Sequence, residues 1–155
     1  MKSTTPAEGA QPEATRLAVM QMKDLLLEVR AELDEQLRPL GVTSAQMKVL
    51  REIEAEGRLT GAKAARLCHV TPQTLQAQMA RLERTGMVRR SADPENERLV
   101  LWSLAPAGTR LMRRAEAVFA EVQRALWEGT SAAEIARLNA LLGRCLERVR
   151  ARREA

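Results

Sequence analysis

The sequence predicts a mainly α-helical protein of the α+β class, built as one domain with a single β-hairpin. The length of 155 residues is that of one domain. Apolar residues recur three and four positions apart over most of the chain, which is the period of amphipathic helices. One stretch, residues 88–104, loses this period and is typical of two short strands. With 45% hydrophobic and 29% charged residues, collagen-like and wholly disordered chains are excluded.

The chain begins with a polar segment and then an amphipathic helix. Residues 1–12 are small, polar and interrupted by proline, which predicts a disordered tail before an ordered domain at 13–155. A helix is predicted at about 14–38, and Pro39 and Gly41 end it. Its apolar stripe consists of Leu26, Val29, Leu33 and Leu37.

Three helices with clear start signals follow. Thr43 and Gln46 form a capping box for the second helix. Thr60 is placed to cap a short third helix, and Thr71 with Pro72 begins a fourth. The predicted inner side of the fourth helix consists of Leu75, Met79 and Leu82, and Gly86 is its predicted C-cap.

The C-terminal half predicts a hairpin and two long helices. The hairpin turns near Asp93–Glu97, and Pro106 opens the fifth helix. Ser131 and Glu134 form a capping box for the sixth helix, whose apolar stripe includes Cys145 as a predicted core residue. Helix, short helix, tight turn, helix and hairpin is the order of a winged helix-turn-helix, at about 43–104, with flanking helices at about 14–38 and 106–151.

The fourth helix, Thr71 to Thr85, is the predicted recognition helix. Gln73 and Thr74 lie on its outward N-terminal side, where an amide and a hydroxyl suit major-groove bases. Arg81 and Arg84 are placed for phosphates. The predicted contacts on this helix are Thr71, Gln73, Thr74, Gln76, Ala77, Arg81 and Arg84. A polar face that only meets water is the alternative.

The hairpin carries the second predicted contact region. Arg89, Arg90 and Arg98 surround its acidic tip, and an arginine on a narrow ribbon suits the minor groove. Asp93 is expected to orient the Arg98 guanidinium through an ion pair. A charged turn that only maintains solubility is the alternative.

The composition narrows the function classes. A formal charge of +5, carried mainly by arginine, fits a polyanion partner, although codon bias in a GC-rich genome explains arginine preference equally well. With 2% aromatic residues and no tyrosine, proteins that stack single-stranded bases are excluded. Two separated cysteines and one histidine predict neither structural zinc nor another cofactor. No secretion signal or membrane-spanning run is found, so a cytoplasmic, nucleoid-associated protein is expected.

Three short motifs in succession identify a family resemblance. Residues 86–90 are GMVRR, residues 93–98 are DPENER and residues 104–108 are LAPAG. In this order they resemble the GLVxR, DPxDxR and LTxxG motifs of MarR-type transcriptional regulators, and the similarity runs from about Leu17 to Val149. Asn96 replaces the usual second Asp, which loosens the expected ion-pair network of the wing. Ala105 replaces the usual Thr cap, which Pro106 partly compensates.

The resemblance implies a homodimer formed by the first, fifth and sixth helices and bound to a pseudo-palindromic operator. It also implies a small aromatic or phenolic effector, held between the dimerisation helices and the DNA-binding region. Flexible methionines suit such a cavity, and a cation suits an anionic ligand. The candidates are Met20, Lys23, Met47, Arg51 and Met112. Ordinary core packing and solvated charge are the alternative.

The sequence therefore predicts a sequence-specific regulator of double-stranded DNA, a ligand-responsive repressor that binds as a homodimer. An effector-independent DNA binder and a helical adaptor that binds protein are the alternatives. An enzyme is not expected, because the chain has no phosphate-binding glycine loop and no metal cluster.

Overall fold

The computed structural model describes residues 12–154, which form six helices and a small sheet. The helices are α1 (Pro12–Leu37), α2 (Ser44–Glu56), α3 (Gly61–Cys68), α4 (Pro72–Arg84), α5 (Pro106–Leu126) and α6 (Ala132–Glu154), and the strands are β1 (Leu59–Thr60), β2 (Val88–Ala92) and β3 (Val100–Leu104). The predicted tail lies outside the described residues except for Pro12, which begins α1. The chain divides into two compact units, Met1–Val122 and Gln123–Ala155.

The helix starts of the first unit follow the predicted capping residues. The Gln46 N–H donates to Thr43 Oγ1 at 3.2 Å, and the Thr43 N–H donates to Gln46 Oε1 at 3.1 Å, which completes the capping box. Thr60 Oγ1 accepts the Lys63 N–H at 3.3 Å, and Thr71 Oγ1 accepts the N–H of the third helical residue of α4 at 3.1 Å. Each cap satisfies a backbone donor that the first helical turn leaves open.

The end of α4 differs by one residue from the prediction. Thr85 is the C-cap, and Gly86 follows it in the left-handed conformation with φ of 73°. The Gly86 N–H donates to the Glu83 carbonyl at 2.9 Å, and the Met87 N–H donates to the Leu82 carbonyl at 2.8 Å. This Schellman motif turns the chain from α4 directly into β2, and glycine adopts its left-handed position without steric cost.

The sheet has three strands where the sequence predicted a two-stranded hairpin. Its order is β1-β3-β2, and both pairings are antiparallel. Leu59 pairs with Trp102, and Arg90 pairs with Trp102 from the other side. Strand β1 has only two residues, too few to show an alternating pattern, so it could not be predicted from the sequence.

One core joins the helices of the first unit. The predicted inner sides of α2 and α4 are buried, including Leu50, Ile53 and Leu82. The stripe of α1 is divided, because Leu37 is buried whereas Leu26 is 70% exposed.

Helix α5 contributes Leu111, Met112 and Ala115 to this core. At its first turn, a Cβ on Gly108 would overlap the Met87 carbonyl oxygen, so only glycine allows this close approach.

The second unit contains α6. The Glu134 N–H donates to Ser131 Oγ at 3.3 Å, and the Ser131 N–H donates to Glu134 Oε2 at 2.9 Å, which confirms the second capping box. The Ser131 hydroxyl also donates to Glu134 Oε2, at 2.6 Å. This bond and the one from the Ser131 N–H lower the pKa of Glu134 from its ordinary value, because both favour the ionised carboxylate. None of the 23 residues of α6 is buried. The prediction that Cys145 is a core residue is therefore wrong for the single chain, since this thiol is exposed.

Within residues 12–154, every helix is too short or too polar to cross a lipid bilayer.

Candidate nucleic-acid interface

Helix α4 has one buried ridge and a broad exposed face. Leu75, Met79 and Leu82 each retain 2% of their accessible surface. At 3.6 residues per turn, Gln73 and Ala77 lie on the opposite side of the helix. All seven predicted contacts on this helix are exposed: Thr71, Gln73, Thr74, Gln76, Ala77, Arg81 and Arg84.

The N-terminus of α4 distinguishes its two candidate base-reading residues. The hydroxyls of Thr71 and Thr74 lie 2.9 Å apart and share a hydrogen bond. The Thr74 hydroxyl thus already has a partner, whereas no hydrogen bond of the Gln73 amide is recorded among residues 12–154. An amide with both its donor and its acceptor open is the group that pairs with adenine in the major groove.

Backbone hydrogen bonds organise the turn of the wing, which we define as β2, residues 93–99 and β3. The Asp93 N–H donates to the Leu99 carbonyl at 3.0 Å, and Asp93 Oδ1 accepts the Glu95 N–H at 2.9 Å. Asn96 Oδ1 accepts the Arg98 N–H at 3.2 Å. The side chain of Asn96 therefore supports the loop that presents Arg98.

The predicted ion pair between Asp93 and Arg98 is not present among residues 12–154. The carboxylate of Asp93 closes a local turn with the Glu95 amide instead, as aspartates commonly do two residues before a turn donor. Arg98 is exposed at the tip of the wing. Asp93 thus shapes the loop, and it does not hold the guanidinium.

The two strand arginines have different surroundings. Arg89 pairs in register with Ser103, and its Nε donates to Ser103 Oγ at 3.3 Å. Arg90 forms an ion pair with Glu83 of α4, with Nε 3.1 Å from Oε1. Adjacent residues of a strand point to opposite faces of the sheet. Arg89 and Arg90, which were predicted to act together, therefore lie on opposite faces. Glu83 was not among the predicted residues.

A groove between α4 and the wing has a cavity volume of about 540 Å³. Its walls are mostly apolar side chains of the helix and of β3, with Glu83 and Arg90 among the polar ones. The lining includes Leu75, Met79, Ala80, Leu99, Val100 and Trp102. Arg81 does not line this groove, and it borders a cavity of about 300 Å³ together with Asp34, Glu35 and Arg38. Arg81 therefore faces the end of α1, whereas Arg90 faces the groove.

The five predicted effector residues do not form one pocket in the described part of the chain. Met47 and Met112 are buried in the core, and Met20 and Lys23 are exposed on α1. The guanidinium of Arg51 lies 3.9 Å from the ring centre of Phe119, a cation–π contact that the sequence reasoning missed. None of the five lines the two cavities above. The effector pocket stays a prediction.

Cys68 is buried, whereas Cys145 is exposed. Among residues 12–154, no cluster of side chains that could bind a metal ion is found. Burial raises the pKa of the Cys68 thiol, and the nearby Lys48 opposes this only in part. A thiol that resists ionisation is a poor nucleophile, so the structure assigns Cys68 a packing role.

Comparison with known proteins identifies the family. The sequence model of the MarR family matches residues 40–99. The multiple antibiotic resistance protein MarR of Escherichia coli K12 is 31% identical over 149 residues, which cover 94% of this chain and 99% of that protein. The chain belongs to the MarR family. This membership confirms the predicted class, a transcriptional regulator and not an enzyme.

A second relative is an HTH-type transcriptional repressor of Mycobacterium tuberculosis. It is 36% identical over 90 residues, which cover 58% of this chain. The match spans 65% of that repressor, so slightly less than two thirds of its length is represented.

Solved structures confirm the fold. A cysteine-to-serine mutant of E. coli MarR in complex with operator DNA gives a TM-score of 0.76 at 28% identity, covering 87% of this chain and 94% of that one. The MepR–DNA complex of S. aureus gives 0.75 at 23% identity, covering 83% and 96%. These similarities confirm the predicted winged helix-turn-helix with long flanking helices.

Proposed function

We propose that this MarR-family chain is a repressor that binds double-stranded DNA sequence-specifically. The observation that carries the proposal is the exposed face of α4, which places the open amide of Gln73 at its start and the charge of Arg84 at its end. A helix of this kind enters the major groove with its N-terminal residues on base edges. The E. coli relative whose structure is similar was solved in complex with operator DNA.

In this proposal Arg98 contacts the minor groove. It is exposed at the tip of the wing, and the loop hydrogen bonds of Asp93 and Asn96 hold its backbone. A guanidinium on a narrow ribbon is attracted by the negative potential of a narrow A·T-rich groove. Arg84 and Arg89 are the proposed phosphate contacts, which fix position without reading sequence, whereas Arg90 is paired with Glu83.

The proposed functional form is a homodimer on a pseudo-palindromic operator. The side chains of Leu26 on α1 and Val149 on α6 are 70% and 58% exposed. Apolar stripes of this length are typical of surfaces that another protein covers. A second copy of the chain is the proposed partner, because a two-fold dimer matches two equivalent half-sites.

The proposed effector is a small aromatic or phenolic molecule, as the family resemblance implies. The effector-independent DNA binder remains the alternative. Thermal unfolding with and without candidate phenolic acids tests whether an effector binds, since a ligand that binds the native state raises Tm.

Titration of selected and random DNA duplexes at several salt concentrations tests DNA binding. We expect log affinity to fall steeply with log salt, because bound arginines displace counterions. Arg98→Ala should make the slope shallower by up to about 0.9 per subunit and should weaken A·T-flanked operators most. Arg113→Ala removes the same charge from an exposed position on α5 and should change neither property. A protein adaptor would show no such slope, and equal losses on both flanks would remove Arg98 from the minor groove.

A further inference from the structure

We infer that Glu83 of α4 is a positioning residue that holds Arg90 of the wing, and that it lowers affinity for DNA in general while raising the preference for the operator. The inference rests on the proposed DNA binding. Its basis is the ion pair that joins the two elements, with Arg90 Nε 3.1 Å from Glu83 Oε1. Nothing in the sequence pattern pointed to Glu83.

The position of the pair gives it this role. Both residues line the groove of about 540 Å³ between α4 and the wing, and most of the other walls are apolar. An open groove contains no packed side chains to fix the distance between its walls, so a contact across it constrains their relative position. The side chains of Arg90 and Glu83 are 63% and 38% exposed, so water screens the pair as it does other surface ion pairs. Its role is therefore to set the position of Arg90 and not to stabilise the fold.

The helix geometry places Glu83 next to the proposed contacts. Gln76 lies seven residues before it, so the two share one ridge of α4, and Gln76 also lines the groove. A carboxylate on this ridge repels DNA phosphates, and it neutralises part of the charge of Arg90. Like charges brought together at an interface cost affinity for every DNA sequence.

The same contact favours the operator. Arg98 at the wing tip must reach the minor groove while Gln73 lies in the major groove, so their spacing is part of the recognition. Strand β2 begins two residues after Gly86 and carries Arg90, and the ion pair ties this strand back to α4. A wing held at a fixed distance from α4 loses less conformational freedom when both contacts form together.

Glu83→Gln tests the inference. We expect affinity for random duplexes to rise and the slope of log affinity against log salt to steepen by up to about 0.9 per subunit, because Arg90 becomes free to displace a counterion. The ratio of operator to random affinity should fall. Glu128→Gln removes the same charge from an exposed turn between α5 and α6, outside the groove, and it should leave both quantities unchanged.

A double-mutant cycle shows whether Glu83 acts through Arg90. Arg90→Gln should reduce the salt slope more in the Glu83→Gln background than in the natural chain, because the arginine is then unpaired. Equal reductions in both backgrounds, or a Glu128→Gln variant that behaves like Glu83→Gln, would overturn the inference. If the natural chain showed no salt-dependent DNA binding, the proposed function itself would fail, and this outcome is distinct from an unchanged Glu83→Gln variant.

Discussion

Helices α4 and α6 have the same apolar period but different surroundings. Helix α4 has 13 residues, and three of them are almost completely buried. Helix α6 has 23 residues, none of them buried, although its stripe repeats the same spacing. A helical period thus identifies an apolar face, but it does not identify what covers that face.

The difference has an energetic consequence. Burying a leucine contributes about 1.5 to 3 kcal/mol, so the ridge of α4 stabilises the fold of the single chain. The stripe of α6 supplies such energy only when another surface covers it. The stability of that region should therefore depend on protein concentration, as expected of a dimer.

The largest expected effect comes from placing charges in the exposed stripe of α6. Leu138→Glu combined with Leu142→Glu should abolish the dimer and, with it, operator binding, because like charges would be buried in the seam. Light scattering and DNA titration measure the two properties. Ala136→Glu with Ala140→Glu adds the same charges outside the stripe and should remain dimeric. A dimeric Leu138/Leu142 variant that bound DNA normally would remove α6 from the dimer interface.

The corresponding substitution in α4 should lower the stability of the single chain. Leu82→Ala should lower the free energy of unfolding by about 2 to 5 kcal/mol, because it leaves a cavity in a packed core. Urea denaturation measures the loss. Leu146→Ala, in the exposed part of α6, should cost much less under conditions where the protein is monomeric. Equal losses of unfolding free energy for the two variants would mean that Leu146 is as tightly packed as Leu82 within the single chain.

A smaller effect is expected on the exposed side of α4. Gln73→Ala should relax the base preference at one position of each half-site by about 1 to 3 kcal/mol, since the amide reads a base and carries no charge. Affinity for random duplexes and the salt slope should not change. Competition between operators with single base changes measures the preference. A uniform loss across all sequences would place Gln73 on the DNA backbone.

The smallest expected effect is a difference in reactivity between the buried thiol of Cys68 at the end of α3 and the exposed thiol of Cys145 in α6. Cys145 should react readily with iodoacetamide in dilute protein, and more slowly as concentration rises and a partner covers the stripe. Cys68 should stay unmodified at every concentration. Because its pKa is raised, it should also resist modification as the pH rises through the ordinary thiol pKa of about 8.5. Mass spectrometry after timed labelling measures both rates. Labelling of Cys145 that is independent of concentration would contradict its place in a dimer seam.

Local signals in the sequence predicted most of the first unit. The capping residues Thr43, Thr60 and Thr71 begin their helices as expected, because a cap and the donor that it satisfies are three residues apart. The inner sides of α2 and α4 followed from the helical period.

The contacts that depend on tertiary structure were not predictable in this way. Strand β1 pairs across more than 40 residues with β3, and the Glu83–Arg90 pair depends on the angle between a helix and a sheet. The contact of Arg51 with Phe119 joins two helices that are distant in sequence. The predicted Asp93–Arg98 pair was wrong because backbone amides nearer in the loop compete for the same carboxylate.

The close approach at Gly108 has a mechanical consequence. The Met87 carbonyl, between α4 and β2, accepts the Ala105 N–H at 3.0 Å and also lies against Gly108 at the start of α5. Main chain meets main chain at this point, with no flexible side chain between to absorb a displacement. A shift of the first turn of α5 therefore moves the backbone at the start of the wing directly. Shortening side chains cannot loosen this contact between main chains, whereas a single methyl group added at Gly108 would force the two segments apart.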